Sequence, residues 1–272
     1  TNSCVFLGAD KLCDIHREMG IEAKPVPCRQ FPFTVKATPD GLFVGVTFFC
    51  TSAQQNSGRP LEAHEEEVKE ILKTIEIPRI GFRPLRVAHE VSMDWETYKH
   101  FEQLVSRGVD SAGPLLAFSQ AFRCLSQAVQ DLGEGLITVE KLNGLWRASG
   151  PVDLAQDPVL GFQMEFFLGA LIGVIEVGNN PEHQVICQSF LDGGVYDLKR
   201  LGARINFSET RRLRYQIENN FDVEIRRYFQ SLLFRKFLAS SRPILDNAIL
   251  GYLLLRLLIV YTSLFAQRRG VA

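Results

Sequence analysis

The chain has 272 residues, of which 46% are hydrophobic and 22% are charged, and its formal net charge at pH 7 is −1. This composition is typical of a globular protein that is long enough to bury one large core or two smaller ones. A general nucleic-acid-binding protein needs an excess of basic residues to displace counterions from the phosphates. The balanced charge therefore predicts no nucleic-acid partner.

Residues 1–58 are rich in turns and contain two segments with the composition of β-strands. These segments, residues 31–37 and 42–48, flank Pro39-Asp40-Gly41. Two such segments around a Pro-Asp-Gly turn predict a β-hairpin. Because Cys50 follows the second segment, the hairpin would return this cysteine toward the start of the first. We expect residues 1–58 to form a small cysteine-rich α+β head.

After a small, polar linker at residues 51–60, nearly all of the chain has the patterns of helices. Helical spacing of apolar residues predicts helices at 62–75, 95–106, 115–132, 158–177 and 244–266, and one that begins at Thr138. Asp94 is the predicted cap of the helix at 95–106, and Pro243 and Gly270 bracket the last helix. A further helix is predicted to begin at Asn206 or Ser208 and to run toward Leu238. We therefore predict a mainly α protein in which residues 59–272 form a helical bundle domain.

Two of these helices are apolar almost all round. Residues 244–266 are about long enough to span a bilayer, but Arg256 lies near their middle, where a charge costs roughly 2.5–3.5 kcal/mol on insertion scales. Glu165 and Glu176 interrupt the other apolar helix in the same way. Such helices are more often the central helices of a soluble bundle. We therefore favour a soluble protein over a membrane-associated one, and we expect Arg256 and Glu165 to pair in the core.

Four of the six cysteines lie in the first fifty residues, at positions 4, 13, 28 and 50. A secreted disulfide scaffold is usually shorter and more evenly supplied with cysteine. No signal peptide precedes the cluster, and the sequence begins with Thr1 rather than Met, which we interpret as a processed or truncated N-terminus. We expect a cytoplasmic location, where thiolates stay reduced and bind metal.

The spacing of these four cysteines leaves their role open. The gaps of eight, fourteen and twenty-one residues differ from the two-residue spacing of zinc ribbons. Four thiolates can complete either a zinc site or an iron–sulfur cluster, whereas four small buried residues would give the same pattern. His16 is a candidate for a further metal ligand or for a hydrogen-bond donor to one of the ligands. Arg29 is a candidate for neutralising thiolates or binding an anionic cosubstrate, with a solvated salt bridge as the alternative.

The residues around the cysteines resemble a known family. Residues 4–33 contain, in order, Cys-x-Phe-Leu, Leu-Cys-x-Ile-His and Lys-Pro-x-x-Cys-Arg-x-Phe-Pro-Phe. These motifs are similar to three segments of the zinc- or iron-chelating cysteine-cluster family, which includes the flagellin lysine-N-methylases, and Cys50 falls where that family has a further cysteine. The Cys-x-x-Cys-x-x-Cys-Cys group that the family carries upstream is absent from this sequence.

The resemblance implies a zinc ion or an iron–sulfur cluster bound by Cys4, Cys13, Cys28 and Cys50, with His16 as a further candidate and Arg29 as a cofactor-binding residue. It also implies methyl transfer from S-adenosylmethionine to lysine side chains of a protein substrate such as flagellin. The sequence identifies no catalytic residue and contains no Rossmann glycine fingerprint. The alternative is therefore a non-catalytic metal-binding module that staples the N-terminal region onto a helical interaction domain.

Overall fold

A computed structural model describes residues 4–10, 12–178, 181–198, 202–206 and 222–268. Within this part the protein is mainly α, with small β-sheets of two or three strands. The chain divides into two compact units. The first comprises Thr1–Phe82 with Phe234–Lys236, and the second comprises Arg83–Leu233 with Phe237–Ala272. The predicted functional division at residues 58–59 stays a prediction.

The first unit consists of short elements. In chain order they are α1 (Asp14–Met19), a 3-10 turn (Ile21–Ala23), α2 (Val26–Gln30), β1 (Phe33–Thr38), β2 (Gly41–Val46), α3 (Thr51–Gln54), a second 3-10 turn (Leu61–His64) and α4 (Glu65–Leu72). Proline lies at the start of α2, where its fixed φ suits a helix and its missing N–H costs nothing.

The predicted hairpin is confirmed. Strands β1 and β2 pair antiparallel, with Phe33 opposite Val46. Gly41 has a φ of 124° at the turn, in the region that glycine adopts without steric strain. Phe33 also packs with Val68 and Ile71 of α4 in a small hydrophobic cluster. The hairpin and α4 therefore share the apolar packing of this unit.

The second unit contains the long helices. Its elements are β3 (Leu85–Ala88), β4 (Glu90–Met93), α5 (Trp95–Ala112), α6 (Pro114–Leu132), β5 (Glu134–Leu136), α7 (Val139–Ser149), a 3-10 turn (Leu154–Gln156), α8 (Pro158–Val177), α9 (Glu182–Leu191), β6 (Val195–Leu198), β7 (Ala203–Asn206), α10 (Asp222–Phe234, whose last residue belongs to the first unit) and α11 (Ile244–Arg268).

Two predicted helix starts are confirmed by side-chain caps. The Asp94 carboxylate accepts a hydrogen bond from the backbone N–H of Thr97 at 2.8 Å, and α5 follows directly. The Thr138 hydroxyl accepts one from the backbone N–H of Lys141 at 3.3 Å at the start of α7. Each cap satisfies a donor that has no partner inside its helix.

The prediction that helices occupy nearly all of this region is wrong for its short strands. β3 pairs antiparallel with β4, β4 pairs parallel with β5, and β6 pairs antiparallel with β7. Strands of three or four residues are too short to show a clear alternation of apolar and polar positions. Pairing of β4 with β5 also joins segments that lie on either side of α5 and α6 in the chain.

The predicted helix toward Leu238 is shorter than expected. Asn206 ends strand β7, and α10 ends at Phe234, shortly before Lys236, whose φ is 60°. A positive φ is incompatible with continuing a right-handed helix, so the chain turns there. The alternative cap Ser208 and the predicted stop at Gly270 lie outside the described residues.

Polar residues are buried where α11 packs beside α8. Arg256 is 1% exposed, and its Nη2 lies 3.4 Å from Oε1 of Glu165, which confirms the predicted pair. The hydroxyl of Tyr252 donates to Oδ1 of Asp153 at 2.6 Å, so a second polar contact supports the same region. By length and composition, α11 has a stretch that is suited to cross a membrane, Ile244–Thr262, of which 56% is buried in the protein.

Candidate metal centre

Backbone hydrogen bonds close a loop that carries the first two cysteines. The N–H of Leu7 donates to the carbonyl of Cys4 at 3.2 Å, and the N–H of Asp14 donates to the carbonyl of Phe6 at 2.9 Å. Leu7 and Cys13 also form an isolated antiparallel bridge. Cys4 and Cys13 therefore lie on the two sides of one short loop.

The hairpin relates the other two cysteines. The N–H of Thr47 donates to the carbonyl of Pro32 at 2.8 Å, which continues the pairing one step beyond β1 and β2. Cys28 lies in α2, just before Pro32, and Cys50 immediately precedes α3, just after Thr47. Cys28 and Cys50 thus flank the same end of the hairpin, as expected from the sequence.

The four cysteines are free thiols: Cys4 and Cys28 are exposed, and Cys13 and Cys50 are partly buried. Within the described residues, no three His, Cys, Asp or Glu side chains form a group that could hold a metal ion. The donor types therefore fit zinc or an iron–sulfur cluster, whereas their present arrangement does not fit a three- or four-ligand centre. The ligand set stays a prediction.

The two other predicted site residues lie on the same short helices. His16 is an exposed residue of α1. Arg29 of α2 pairs with Glu22, its Nη1 lying 3.1 Å from Oε2, which is the salt bridge that the sequence analysis left as an alternative. The Nε of Arg29 is buried and has no hydrogen-bond partner in the described part of the chain. This donor belongs to the residue that follows Cys28 in the sequence, and it is the feature of the segment that best fits an anionic group.

The segment around the cysteines lacks a hydrophobic core. None of the described residues of 4–32 is buried. Its large apolar side chains are mostly exposed, namely Val5, Phe6, Leu7, Leu12, Met19, Ile21, Val26 and Phe31. Hydrophobic burial, which scales with the apolar area removed from water, therefore contributes little to the stability of this segment.

Comparisons with known proteins give no match. No family model, curated protein or solved structure is similar to this chain. The likeness of residues 4–33 to the cysteine-cluster family therefore rests on the motifs quoted above.

The second unit contains a cavity that no pattern in the sequence predicts. It has a volume of about 180 Å³, and Arg86, Ser240, Ser241 and Arg242 contribute to its lining. Arg86 is far from the others in sequence, and a single exposed arginine is ordinarily a solvated residue. The available signal was the Ser-Ser-Arg-Pro run immediately before α11, since serine and proline are common where helices begin.

Proposed function

We propose that the protein binds zinc or an iron–sulfur cluster through Cys4, Cys13, Cys28 and Cys50. One observation carries this proposal: residues 4–32 contain helices α1 and α2, yet none of their described side chains is buried. Small segments without an apolar core are usually stabilised by disulfides or by a metal. The cysteines here are free, so their thiols are available as metal ligands.

The energetics of metal binding support this proposal. Structural zinc contributes about 10–16 kcal/mol in zinc-finger peptides at pH 7, which greatly exceeds what an exposed segment gains from packing. A preformed site rarely exists in an unfolded chain, so the free energy of metal binding contributes to the folding of the segment that carries the ligands. In this chain, backbone hydrogen bonds hold the loop that carries Cys4 and Cys13 and the end of the hairpin that lies between Cys28 and Cys50. Local structure would therefore limit the distance that these thiols must move to reach one metal ion.

Arg29 supports an anionic centre at the same place. A four-thiolate site is negatively charged, and a guanidinium next to it reduces the cost of that charge. Arg29 follows Cys28 directly, and its buried Nε is a donor without a hydrogen-bond partner among the described residues. His16 is exposed on α1 and is therefore accessible as a further ligand.

The resemblance to the cysteine-cluster family is the one observation that supports a catalytic role. On that basis we propose a cytoplasmic S-adenosylmethionine-dependent enzyme that methylates lysine side chains of a protein such as flagellin. The alternative is a non-catalytic module in which zinc or iron stabilises the N-terminal segment. A closed set of four thiolates favours this alternative, because it leaves no coordination position for a substrate.

Metal analysis and a visible spectrum of anaerobically purified protein test the metal proposal. An iron–sulfur cluster gives a brown protein with broad visible absorption, whereas zinc gives a colourless protein with stoichiometric metal. We expect Cys28→Ser and Cys50→Ser to lower the metal content. Cys187→Ser is the matched control, because it makes the same change in α9 of the second unit. Wild-type protein that stays metal-free after reconstitution with zinc, or with iron and sulfide, would refute the proposal.

Methyl transfer is measured separately. Metal-loaded protein is incubated with radiolabelled S-adenosylmethionine and flagellin, and incorporation into lysine is followed. Lysine methylation that Cys28→Ser abolishes and Cys187→Ser retains supports the enzymatic form. Stoichiometric metal without any transfer excludes the methyltransferase for this substrate and leaves the metal-binding module.

A further inference from the structure

The cavity in the second unit has a basic lining. One wall is formed by Pro84, Leu85 and Arg86, at the start of β3, and the other by residues 239–244, which lead into α11. None of the lining residues is acidic. Asp246, in the first turn of α11, is exposed and does not line the cavity.

Arg86 and Arg242 differ from the well-partnered arginines of this protein. The guanidinium groups of Arg17, Arg226 and Arg256 each pair with a carboxylate. By contrast, neither Arg86 nor Arg242 makes a side-chain hydrogen bond or an ion pair with the part of the chain that the structure describes. Two exposed arginines in the lining of one cavity, with no acidic residue in that lining, create a positive potential that attracts anions.

The segment that carries Arg242 is held in place from the interior. The buried side-chain amide of Asn247 donates to the carbonyls of Leu238 at 3.0 Å and Arg242 at 3.3 Å. The backbone of Ala239 hydrogen-bonds to Tyr98, which is fully buried. Ser240 and Ser241 lie between these anchors. A loop that is ordered before the ligand arrives loses less conformational entropy on binding.

We propose that this cavity binds the phosphate group of a small phosphorylated molecule. Arg86 and Arg242 supply the positive charge, and guanidinium groups make paired hydrogen bonds to phosphate oxygens. Ser240 and Ser241 add hydroxyl donors from the same wall. The volume of about 180 Å³ is smaller than that of most pockets for drug-sized ligands. It therefore suits a phosphate with a small substituent better than a dinucleotide.

Calorimetric titration tests this proposal. The two probes are inorganic phosphate and glycerol 3-phosphate, used at constant ionic strength because salt screens charge–charge attraction. We expect saturable binding at one site per chain. Arg86→Gln and Arg242→Gln should each raise the dissociation constant about tenfold, since each removes a charge-assisted contact. Arg242→Lys keeps the charge but loses the planar fork, so we expect it to bind more weakly than wild type and more tightly than Arg242→Gln.

Arg147→Gln is the matched control, because it removes the same charge from an exposed arginine of α7 that does not line the cavity. This variant should bind both probes as wild type does. If wild type binds glycerol 3-phosphate more tightly than inorganic phosphate, the ligand is a phosphomonoester. If it binds the two probes equally tightly, the ligand is phosphate itself. Absence of saturable binding by wild type overturns the proposal. Unchanged affinity in a folded Arg86→Gln/Arg242→Gln double variant, with circular dichroism to verify its fold, overturns it as well.

Discussion

The cysteine-bearing segment at residues 4–32 and the second unit differ in what stabilises them. The segment has short helices whose described side chains are all at least partly exposed. The second unit has helices of up to 25 residues and many fully buried aromatic and aliphatic side chains, among them Tyr98, Phe101, Phe118 and Phe229. Hydrophobic burial therefore contributes much to the stability of the second unit and little to that of the segment.

The comparison also shows how burial changes the chemistry of the same residue type. Cys28 is an exposed thiol in the segment, whereas Cys124 is fully buried in α6 of the second unit. Charges follow the same contrast. Arg256 and Glu165 pair in the interior of the second unit, whereas Arg17 pairs with Asp10 at the surface of the first. A large core can hold ionisable groups, but a segment without one presents them to solvent and to ligands.

Thiol reactivity gives the largest expected contrast. Burial raises the pKa of Cys124 to about 12, so at pH 8 only about one such thiol in 10⁴ is the reactive thiolate. We expect a short pulse of iodoacetamide, with a chelator present, to label Cys28 and to leave Cys124 unlabelled until urea unfolds the protein. Mass spectrometry of peptides measures both. If native Cys124 were labelled as fast as Cys28, the difference in burial between the two thiols would be contradicted.

The buried ion pair gives the next largest effect. Arg256→Met should destabilise the protein by about 3–5 kcal/mol, because it leaves the Glu165 carboxylate buried without its partner cation. The double variant Arg256→Met/Glu165→Leu should recover most of that loss, since no uncompensated charge remains. Urea denaturation measures both. A single variant as stable as wild type would show that the pair does not hold α8 and α11 together.

The control for this pair is an exposed one. Lys73→Met removes the cation that faces Glu70 in the first unit, where both side chains are mostly exposed. We expect no measurable change in the denaturation midpoint, because solvent screens such pairs.

Two glycines test how tightly the helices of the second unit are packed. A Cβ added to Gly251 of α11 would overlap the ring of Phe118 on α6, whereas one added to Gly144 of α7 would meet open space. We expect Gly251→Ala to destabilise by about 1–3 kcal/mol through overpacking. Gly144→Ala should stabilise by roughly 0.5–1 kcal/mol, because alanine is the better helix former. Thermal denaturation distinguishes them, and equal effects would contradict this close packing.

The cap of α5 gives a smaller effect than overpacking at Gly251, and it depends on pH. The backbone N–H of Thr97 lowers the pKa of Asp94 by hydrogen-bonding to its carboxylate. A depressed folded-state pKa stabilises the protein above the unfolded-state pKa of about 3.9, and this contribution is lost as the pH falls through the lower, folded-state pKa. Asp94→Ala should cost about 1 kcal/mol at pH 7 and less in acid.

Asp94→Asn separates capping from titration. Asparagine caps a helix about as well as aspartate but does not titrate, so its stability should be close to that of wild type at pH 7. Denaturation curves at several pH values measure the difference. An Asp94→Ala penalty that stays constant down to pH 2 would show that the carboxylate charge is not involved.

Features that depend on residues close together in the chain were predictable from the sequence, whereas most features that depend on distant residues were not. The cap at Asp94 and the helix start at Thr138 were predictable because a cap and its N–H partner lie within three residues of each other. The hairpin followed from one turn and two flanking segments. The pairing of β4 with β5 was missed because it depends on how α5 and α6 bring distant segments together.

For the candidate sites, the sequence by itself determined the number of cysteines in the N-terminal segment and their order around the hairpin. It also predicted that Arg256 and Glu165 would pair, since two charges in apolar helices need partners. Only the tertiary structure showed that no three metal-binding side chains group together among the described residues. It also showed that no described residue of 4–32 is buried and that Arg86 and Arg242 line one cavity. Helices and turns can be predicted from residues that are close together in the sequence. Burial and contacts between distant residues depend on how the whole chain packs.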